Sequence, residues 1–420
     1  MEVLQDRYKD TKVGRIPKDW EVMKLGELCE IITKGTTPTT NGYSYLSEGI
    51  NFVKVESIDA FGSFKKKMFA HIGEDCYGSF KRSQLKEGDI LISIAGALGR
   101  TAIVTDDILP ANTNQAVGIL RLKDKSHNTF IRYFLDSYFL QKFIERINVA
   151  SAQANLNLGH LDKFNIVFPP LLEQQKIAAI LSTVDEQIST TDKIIEKSKE
   201  LKKGLMQRFF LNKAYMIMSL GKLEKTELMP IRFNQLGKIL TGTTPPTANN
   251  EYYDSEDYMF IGPADLGKDK DVKSSKKYIS VKGFEVTRKL PENALMVVCI
   301  GATIGKIGLT TEPCATNQQV NTIVPKDEYS ARYLYYVIGG LKKYLLGFAG
   351  DTATPQLNKT DFGKVVTFIH KSKSERIKIA TILSEADAKI EKEQTQKAQL
   401  EALKKGLMQQ LLTGKKRVKV

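Results

Sequence analysis

Residues 301–307, Gly-Ala-Thr-Ile-Gly-Lys-Ile, come closer to a catalytic motif than any other segment of the chain. A phosphate-binding loop of an ATPase has four residues between its glycines and a Ser or Thr after its lysine, because that hydroxyl holds magnesium. Here three residues separate Gly301 from Gly305, and Ile307 follows Lys306. We therefore interpret this segment, and the related residues 94–100, as a strand, a glycine turn and a second strand.

No other group of residues forms a recognisable catalytic or metal-binding motif. Cys29, Cys76, Cys299 and Cys314 stand apart without a C-x-x-C pair, and the four histidines are equally scattered. The patterns typical of zinc proteases, serine hydrolases and dinucleotide-binding enzymes are also missing from the sequence. The sequence therefore predicts no catalytic residue, no metal and no cofactor.

An internal repeat with a period of about 205 residues organises the whole chain. Blocks of similar sequence return in the same order, at offsets that fall from 207 to 202 residues. A preserved order of this kind indicates a tandem duplication. The paired blocks begin at Gly35 and Gly242, Ile94 and Ile300, Thr113 and Thr316, Glu173 and Glu375, and Leu201 and Leu403.

The first ~170 residues of each half have a mixed texture, in which short β-rich runs alternate with turns. Residues 50–55 and 88–94 are examples, matched later by residues 258–261 and 295–300. The apolar spacing of residues 130–147 predicts an amphipathic helix. Each half therefore predicts a compact globule of the α/β (α+β) class with mixed sheets.

The last residues of each half, 173–212 and 373–420, predict long helices. Apolar or small residues recur there at alternating steps of four and three, which is the spacing of a coiled-coil seam. We expect the two helices to pair antiparallel and to separate globules at residues 1–172 and 213–372, around a pseudo-two-fold axis. The alternative is two unrelated helices, each packed on its own globule. The predicted seam residues are Ile177, Leu181, Val184, Ile188, Ile195, Leu201, Leu205, Ile379, Leu383, Ile390, Leu400, Leu403 and Leu407.

Composition limits the class of protein and suggests the charge of its partner. Lysine and arginine number 62 against 48 acidic residues, which gives a formal net charge of +14 and favours a polyanionic partner. No apolar run approaches the ~18–20 residues of a membrane helix, and the N-terminus has no signal-peptide pattern. We therefore expect a cytoplasmic location and no membrane partner.

The repeated blocks resemble the specificity (S) subunit of type I restriction–modification systems over the whole chain. The elements that carry the resemblance are residues 16–21 (Ile-Pro-Lys-Asp-Trp-Glu), the two Gly-Thr-Thr-Pro segments, residues 168–177 and residues 403–415. The second half departs from the pattern, because residues 228–232 replace the Ile-Pro-x-Asp-Trp opening and no Pro-Pro pair precedes the second helix.

The resemblance implies a non-catalytic subunit with two target recognition domains, each of which reads one half of a split double-stranded DNA site. It also implies two adenine-methylating modification subunits as partners and, through them, ATP-driven restriction subunits. Two alternatives are a nucleotide-dependent nucleic-acid enzyme that uses Gly305 and Lys306, and a structural DNA-binding protein without sequence preference.

Candidate DNA contacts follow from the charge and from the duplication. Segments shared by both halves, such as Gly-Thr-Thr-Pro, are expected to form turns or to contact phosphates, whereas base readout should lie where the halves diverge. The candidate DNA-binding residues are Lys34, Thr36, Thr37, Lys65, Lys66, Lys67, Lys81, Arg82, Arg100, Thr243, Thr244, Lys276, Lys277, Arg288 and Lys306.

Overall fold

The structure, a computed structural model, describes residues 7–59, 61–148, 156–211, 228–327, 329–350 and 354–419. The chain divides into two compact units. Unit 1 comprises Met1–Asp192 with Thr395–Val420, and unit 2 comprises Lys193–Gln394. Each unit contains helices and mixed β-sheets, so the predicted α/β fold class with two globules is confirmed.

The helices of the described residues are numbered here in chain order. Two of them are long, α6 and α12, and each contributes one part to either unit. The helices are α1 (Leu25–Leu28), α2 (Glu74–Ser79), α3 (Asn128–Leu135), α4 (Tyr138–Asn148), α5 (Leu158–Asp162), α6 (Leu171–Met206), α7 (Phe233–Leu236), α8 (Val281–Glu285), α9 (Ala331–Gly339), α10 (Lys342–Phe348), α11 (Lys359–Lys364) and α12 (Lys373–Leu411).

The strands are short, as the sequence predicts for both globules. They are β1 (Tyr8–Thr11), β2 (Gly14–Pro17), β3 (Glu21–Lys24), β4 (Cys29–Lys34), β5 (Ile50–Val53), β6 (Ala70–Ile72), β7 (Ile90–Ser93), β8 (Thr101–Ile103), β9 (Ala111–Thr113), β10 (Val117–Leu122), β11 (Asn165–Phe168), β12 (Leu228–Arg232), β13 (Gly237–Thr241), β14 (Tyr258–Ile261), β15 (Asp271–Val272), β16 (Tyr278–Ile279), β17 (Leu295–Val298), β18 (Ile307–Thr310), β19 (Ala315–Thr316), β20 (Val320–Pro325) and β21 (Val366–His370).

The two units share the same sheet plan. Unit 1 has an antiparallel sheet in the order β4-β10-β7-β8 and a smaller mixed sheet in the order β6-β5-β9. Unit 2 has the matching order β13-β20-β17-β18, extended by a parallel β15, and a mixed sheet β16-β14-β19. A two-stranded pair precedes each long helix, β11 with β3 and β21 with β12. The sequence repeat is therefore also a repeat of structure.

The predicted single helix over residues 130–147 is wrong, because α3 and α4 are separate helices. Asp136 and Ser137 lie between them, and the Ser137 hydroxyl accepts a hydrogen bond from the backbone N–H of Phe139 at 3.3 Å. This bond satisfies one of the free N–H groups at the start of α4. The Phe134 and Phe139 rings stack across the break, with centroids 5.0 Å apart. The apolar pattern therefore continues from α3 to α4, although the helical backbone conformation is interrupted between them.

The cores explain how each globule is joined to the helices. In unit 1, one buried cluster combines residues of β7 and β10 with α3 and with Ile177 and Leu181 of α6. Leu411 and Leu412 at the end of α12 belong to the same cluster. In unit 2, α9 and β17 pack with Ile379 and Leu383 of α12. Each globule therefore has its own core, to which the beginning of a long helix contributes.

The C-terminal segment after α12 is tied to the start of unit 1 by buried charge. Glu173 is buried, and its carboxylate accepts hydrogen bonds from Trp20 Nε1 at 2.9 Å and from the Arg417 guanidinium at 2.7 Å. Arg417 also donates to both carboxylate oxygens of Asp19, at 2.8 and 2.9 Å. The bond from Arg417 lowers the pKa of Asp19, so this contribution to stability is present at neutral pH and is lost as the pH falls through that pKa.

We expect Arg417→Ala to lower the free energy of unfolding by about 2 kcal/mol, because the buried Glu173 carboxylate loses its charge partner, while the partly exposed arginine limits the loss. Chemical denaturation of the wild type and the variant measures this difference. Lys419→Ala is the matched control. Lys419 is exposed, and its substitution removes the same charge from the same segment. Equal stabilities for the two variants would contradict the assignment of Arg417 as the partner of Glu173.

Candidate nucleic-acid interface

The two Gly-Thr-Thr-Pro segments pack against the two Thr-Asn-Gln segments in the same way. A Cβ atom on Gly35 would lie 2.1 Å from the Thr113 carbonyl oxygen, and one on Gly242 would lie 2.2 Å from the Asn317 carbonyl oxygen. The Thr36 N–H donates to the Thr113 carbonyl at 2.9 Å. Glycine is required at both positions because no side chain fits between the two backbones.

The four threonines of these segments are half-buried. In unit 2, the Thr243 hydroxyl accepts a hydrogen bond from the Arg288 backbone N–H at 2.9 Å, and the Thr244 hydroxyl donates to Gln318 at 2.6 Å. Thr36 and Thr37 occupy the corresponding place after β4 in unit 1. The structure thus brings Thr243 and Arg288, which are 45 residues apart in sequence, into direct contact.

Lys65, Lys66 and Lys67 lie in unit 1 on an exposed turn between β5 and β6. Lys66 forms an ion pair with Asp107 at 2.5 Å, and its hydrogen bond holds the pKa of that carboxyl below its ordinary value. Lys65 and Lys67 form no ion pair with any residue that the structure describes. Two of the three lysines therefore present uncompensated charge to solvent.

A second group of cations in unit 1 lies on β4 and on a turn that contacts this strand. Lys34 ends this strand and is exposed, and the short 3₁₀ turn Lys81–Ser83 lies beside the same strand. The Lys81 and Arg82 side chains are exposed and are not ion-paired within the described part of the chain. The structure thus brings the turn that carries Lys81 and Arg82 against the strand that ends at Lys34.

Unit 2 presents its cations differently. Arg288 is exposed, but its guanidinium donates to the Thr241 carbonyl at 2.7 Å. Lys276 and Lys277 are exposed on the segment that leads into β16, where the Lys276 N–H donates to Asp265 at 3.0 Å. This segment has two adjacent lysines, where unit 1 has three.

Arg100 and Lys306 follow the glycine turns and are half-buried. Arg100 donates to the Ile58 carbonyl at 3.1 Å, and the Lys306 side chain packs across Gly267. Both turns join antiparallel strands, β7 to β8 and β17 to β18, so the predicted strand–turn–strand interpretation is confirmed. A phosphate-binding loop leads from a strand into a helix, which this segment does not do.

The predicted seam residues differ in burial. Ile177, Leu181, Val184, Ile188, Ile195, Ile379 and Leu383 are buried, and Leu205, Ile390, Leu400 and Leu407 are half-buried. Leu201 and Leu403 are 63% and 50% exposed, so the structure does not place these two in a buried seam. The alternating steps of four and three reach Lys202 and Lys404 instead, one residue further along each helix.

These two lysines form ion pairs between the long helices. In unit 1, Lys404 is 8% exposed and lies 2.7 Å from Asp185, while Lys397 lies 2.6 Å from Asp192. From Lys397 to Lys404 the residue number on α12 rises, while the number of the paired aspartate on α6 falls from 192 to 185. The two helices therefore run antiparallel within this unit. In unit 2, Lys202 pairs with Asp387. A buried charge pair at a seam position favours one register over its neighbours, because any other register leaves both charges unpaired.

Sequence reasoning missed Lys202, Lys404, Asp185 and Asp387, because it favoured leucine over lysine at the seam. The signal was present in the repeat, since Asp185 and Asp387 are related by 202 residues, as are Lys202 and Lys404. In the described part of the chain, no three His, Cys, Asp or Glu side chains come together as a metal site. The same part contains no helix that has both the length and the apolar character needed to cross a membrane.

Comparisons with known proteins give the family. A family model, the type I restriction modification DNA specificity domain, matches the chain twice, over residues 17–200 and 226–402. The chain is 26% identical over 431 residues to a Methanocaldococcus jannaschii protein assigned as the type I restriction enzyme MjaX specificity subunit, with 99% of this chain and 98% of that protein covered. Over 137 residues it is 36% identical to the type I restriction enzyme HindI specificity subunit of Haemophilus influenzae, covering 31% and 29% of the two chains.

A solved structure has the same fold. The crystal structure of the S subunit of the type I restriction–modification system from M. genitalium superposes with a TM-score of 0.63 at 16% identity, and the match covers 93% of this chain and 96% of that one. The two matches to the family model follow the two halves of the internal repeat. The chain belongs to the family of type I restriction–modification DNA specificity subunits.

Proposed function

We propose that this chain is the sequence-reading subunit of a type I restriction–modification complex, and that each globule reads one half of a split DNA site. In this proposal residues 1–172 and 213–372 are the two readers, and residues 173–212 and 373–420 are helical spacers. Methylation and cleavage belong to partner subunits, two of them modification subunits, and this chain supplies no catalytic group and needs no cofactor.

One observation carries the proposal: the two globules share a scaffold but present different cations. The shared parts are the sheet order, the Gly35 and Gly242 packing and the glycine turns. In the segment that follows β5 or β14, the exposed cations include Lys65 and Lys67 in one unit and Lys276 and Lys277 in the other. A common scaffold with divergent cationic loops is what two independent readers of different half-sites require.

The first turns of the long helices support a role in binding partner subunits. Leu171 and Leu172 are exposed at the start of α6, and Ile377 and Ile382 are exposed near the start of α12. Exposed apolar side chains near the start of a helix are typical of surfaces that other proteins cover, and both long helices carry them, at positions that the repeat does not relate. We assign these two surfaces to the modification subunits, one for each helix start.

DNA binding by the assembled complex is expected to depend steeply on salt. Lys65→Ala with Lys67→Ala should weaken binding and flatten the plot of log affinity against log salt, by up to about one unit for each phosphate that the variant no longer neutralises. The measurement is a salt titration of affinity on a duplex that contains the complex's own methylation motif.

Lys66→Ala with Asp107→Ala is the matched control, because it removes an ion pair without changing the net charge. We expect the control to leave the salt slope unchanged. An unchanged slope for the Lys65 and Lys67 variant would show that this turn does not contact DNA. Equal affinity of the wild-type complex for all duplexes would instead favour a structural DNA-binding protein without sequence preference.

A further inference from the structure

Each long helix carries an aspartate that contacts a tyrosine of its own globule. Tyr133 of α3 donates a hydrogen bond to Asp185 at 2.8 Å, and Tyr336 of α9 donates to Asp387 at 2.6 Å. Ser182 and Ser384 lie 3.1 and 3.3 Å from the same two hydroxyl groups. Burial raises the pKa of both tyrosines, so the hydroxyls remain protonated donors at neutral pH.

The second long helix adds a lysine to each aspartate. Lys404 pairs with Asp185 in unit 1, and Lys202 pairs with Asp387 in unit 2. The lysine ammonium groups also lie 5.5 and 5.6 Å from the centres of the Tyr133 and Tyr336 rings. Each aspartate is therefore the meeting point of two helices and one globule, and the two sites are copies related by the sequence repeat.

A loop of the globule makes a third contact with each aspartate site. This loop follows β5 in unit 1 and β14 in unit 2, and the residues that make the contact differ between the units. In unit 1, Arg132 lies 3.4 Å from Asp185 and donates a second hydrogen bond to the carbonyl oxygen of Phe61. The Phe61 ring lies 5.5 and 5.7 Å from the ammonium groups of Lys397 and Lys404 on α12. The loop is thus held on the helices through its backbone and its aromatic ring.

In unit 2, a lysine of the loop makes this connection directly. Lys270 lies 3.6 Å from the Asp387 carboxylate and 3.3 Å from the Tyr336 hydroxyl. Its carbonyl accepts a hydrogen bond from the Leu309 N–H at 2.8 Å, which joins the loop to β18. Tyr335 occupies the position that Arg132 has in the first copy, so a different residue supplies the cation.

Both loops lead into the candidate DNA-contacting segments. Phe61 precedes the turn with Lys65 and Lys67, and Lys270 precedes the segment with Lys276 and Lys277. We propose that Asp185 and Asp387 are positioning residues, which fix the DNA-contacting loop of each globule to the helices, through Arg132 and Phe61 in unit 1 and through Lys270 in unit 2. This inference rests on the proposed function, because it assigns a role in sequence discrimination to residues that do not touch DNA.

In unit 2, the expected change in stability distinguishes a positioning role from a purely structural one. Asp387 is already paired with Lys202, so the carboxylate keeps a charge partner when Lys270 is replaced. A second cation on one carboxylate contributes little net stability, since its own desolvation offsets much of the attraction. It does restrict where the loop can lie, and small displacements of positioning groups have large effects on recognition.

Lys270→Met in the assembled complex tests the proposal. The methylation rate is measured on duplexes that carry single base changes in either half-site, and the melting temperature is measured in parallel. We expect discrimination at one half-site to fall about tenfold while the other half-site and the melting temperature stay unchanged. Lys270→Arg should restore discrimination, and Tyr336→Phe, which removes the shared hydroxyl, should reduce it at the same half-site.

Lys238→Met is the matched control, because Lys238 is an exposed lysine on β13 of the same unit. Unchanged discrimination in both Lys270→Met and Tyr336→Phe, or an equal loss at both half-sites, would overturn the positioning role. A wild-type complex that discriminates at neither half-site would instead contradict the proposed function itself, so the two failures are distinguishable.

Discussion

Exchange of residues 213–372 for the matching segment of another specificity subunit should change one half of the methylated DNA motif and leave the other half unaltered. Each unit has its own buried clusters, around β7 and β10 in unit 1 and around β17 and α9 in unit 2. The candidate DNA-contacting loops of each globule are held by that globule's own strands. A globule with its own core and loops can be replaced without disturbing the other.

The exchange is read out by sequencing the methylated adenines of cells that carry the hybrid chain. Exchange of the equivalent first segment, residues 1–172, is the matched control and should change the opposite half of the motif. A hybrid whose two half-sites change together would show that the globules do not read independently, and the two-reader proposal would be wrong.

Insertion of four residues after Lys193 should lengthen the unread spacer between the half-sites by one or two base pairs. Four residues add about one helical turn, or ~6 Å, to α6, and DNA rises ~3.4 Å for each base pair. Lys193 lies where the part of α6 in unit 1 gives way to the part in unit 2. The insertion lengthens the spacing between Asp185 and Lys202 but not the spacing between their partners Lys404 and Asp387 on α12, so it perturbs the local heptad register.

A second variant carries the insertion after Lys193 together with an equal insertion after Gln394 in α12. Both helices are then lengthened by the same amount, so this variant is the more direct test. The measurement is again the methylated motif in cells. A doubly inserted chain that is active and still modifies the original spacer would refute the role of the helices as a ruler. The half-site sequences themselves serve as the internal control, because they should not change.

Sequence patterns predicted the features that depend on repetition and local geometry. The duplicated blocks predicted two α/β globules with mixed sheets, and the spaced glycines predicted the hairpins β7–β8 and β17–β18. Glycines with positive φ at residues 96, 99, 301 and 305 are the physical reason that these turns can be recognised from sequence.

The remaining features depend on tertiary contacts that composition does not reveal. Leucine at positions 201 and 403 looks like a seam residue, yet the seam positions hold the half-buried Lys202 and the buried Lys404, whose charges are satisfied by aspartates distant in sequence. Arg132 looks like a polar residue on an amphipathic helix, but it is buried between Asp136 and Asp185. Arg100 looks like a free cation, although it is bonded to the Ile58 carbonyl.

Whether this one chain carries two readers of a split site can be decided by mapping methylated adenines with and without its gene. Two readers on one chain should give a motif of two short specified halves, separated by a constant number of unspecified base pairs. That motif should disappear when the gene is deleted and return when the chain is supplied again. An uninterrupted motif, or a split motif that persists after the deletion, would contradict the two-reader proposal.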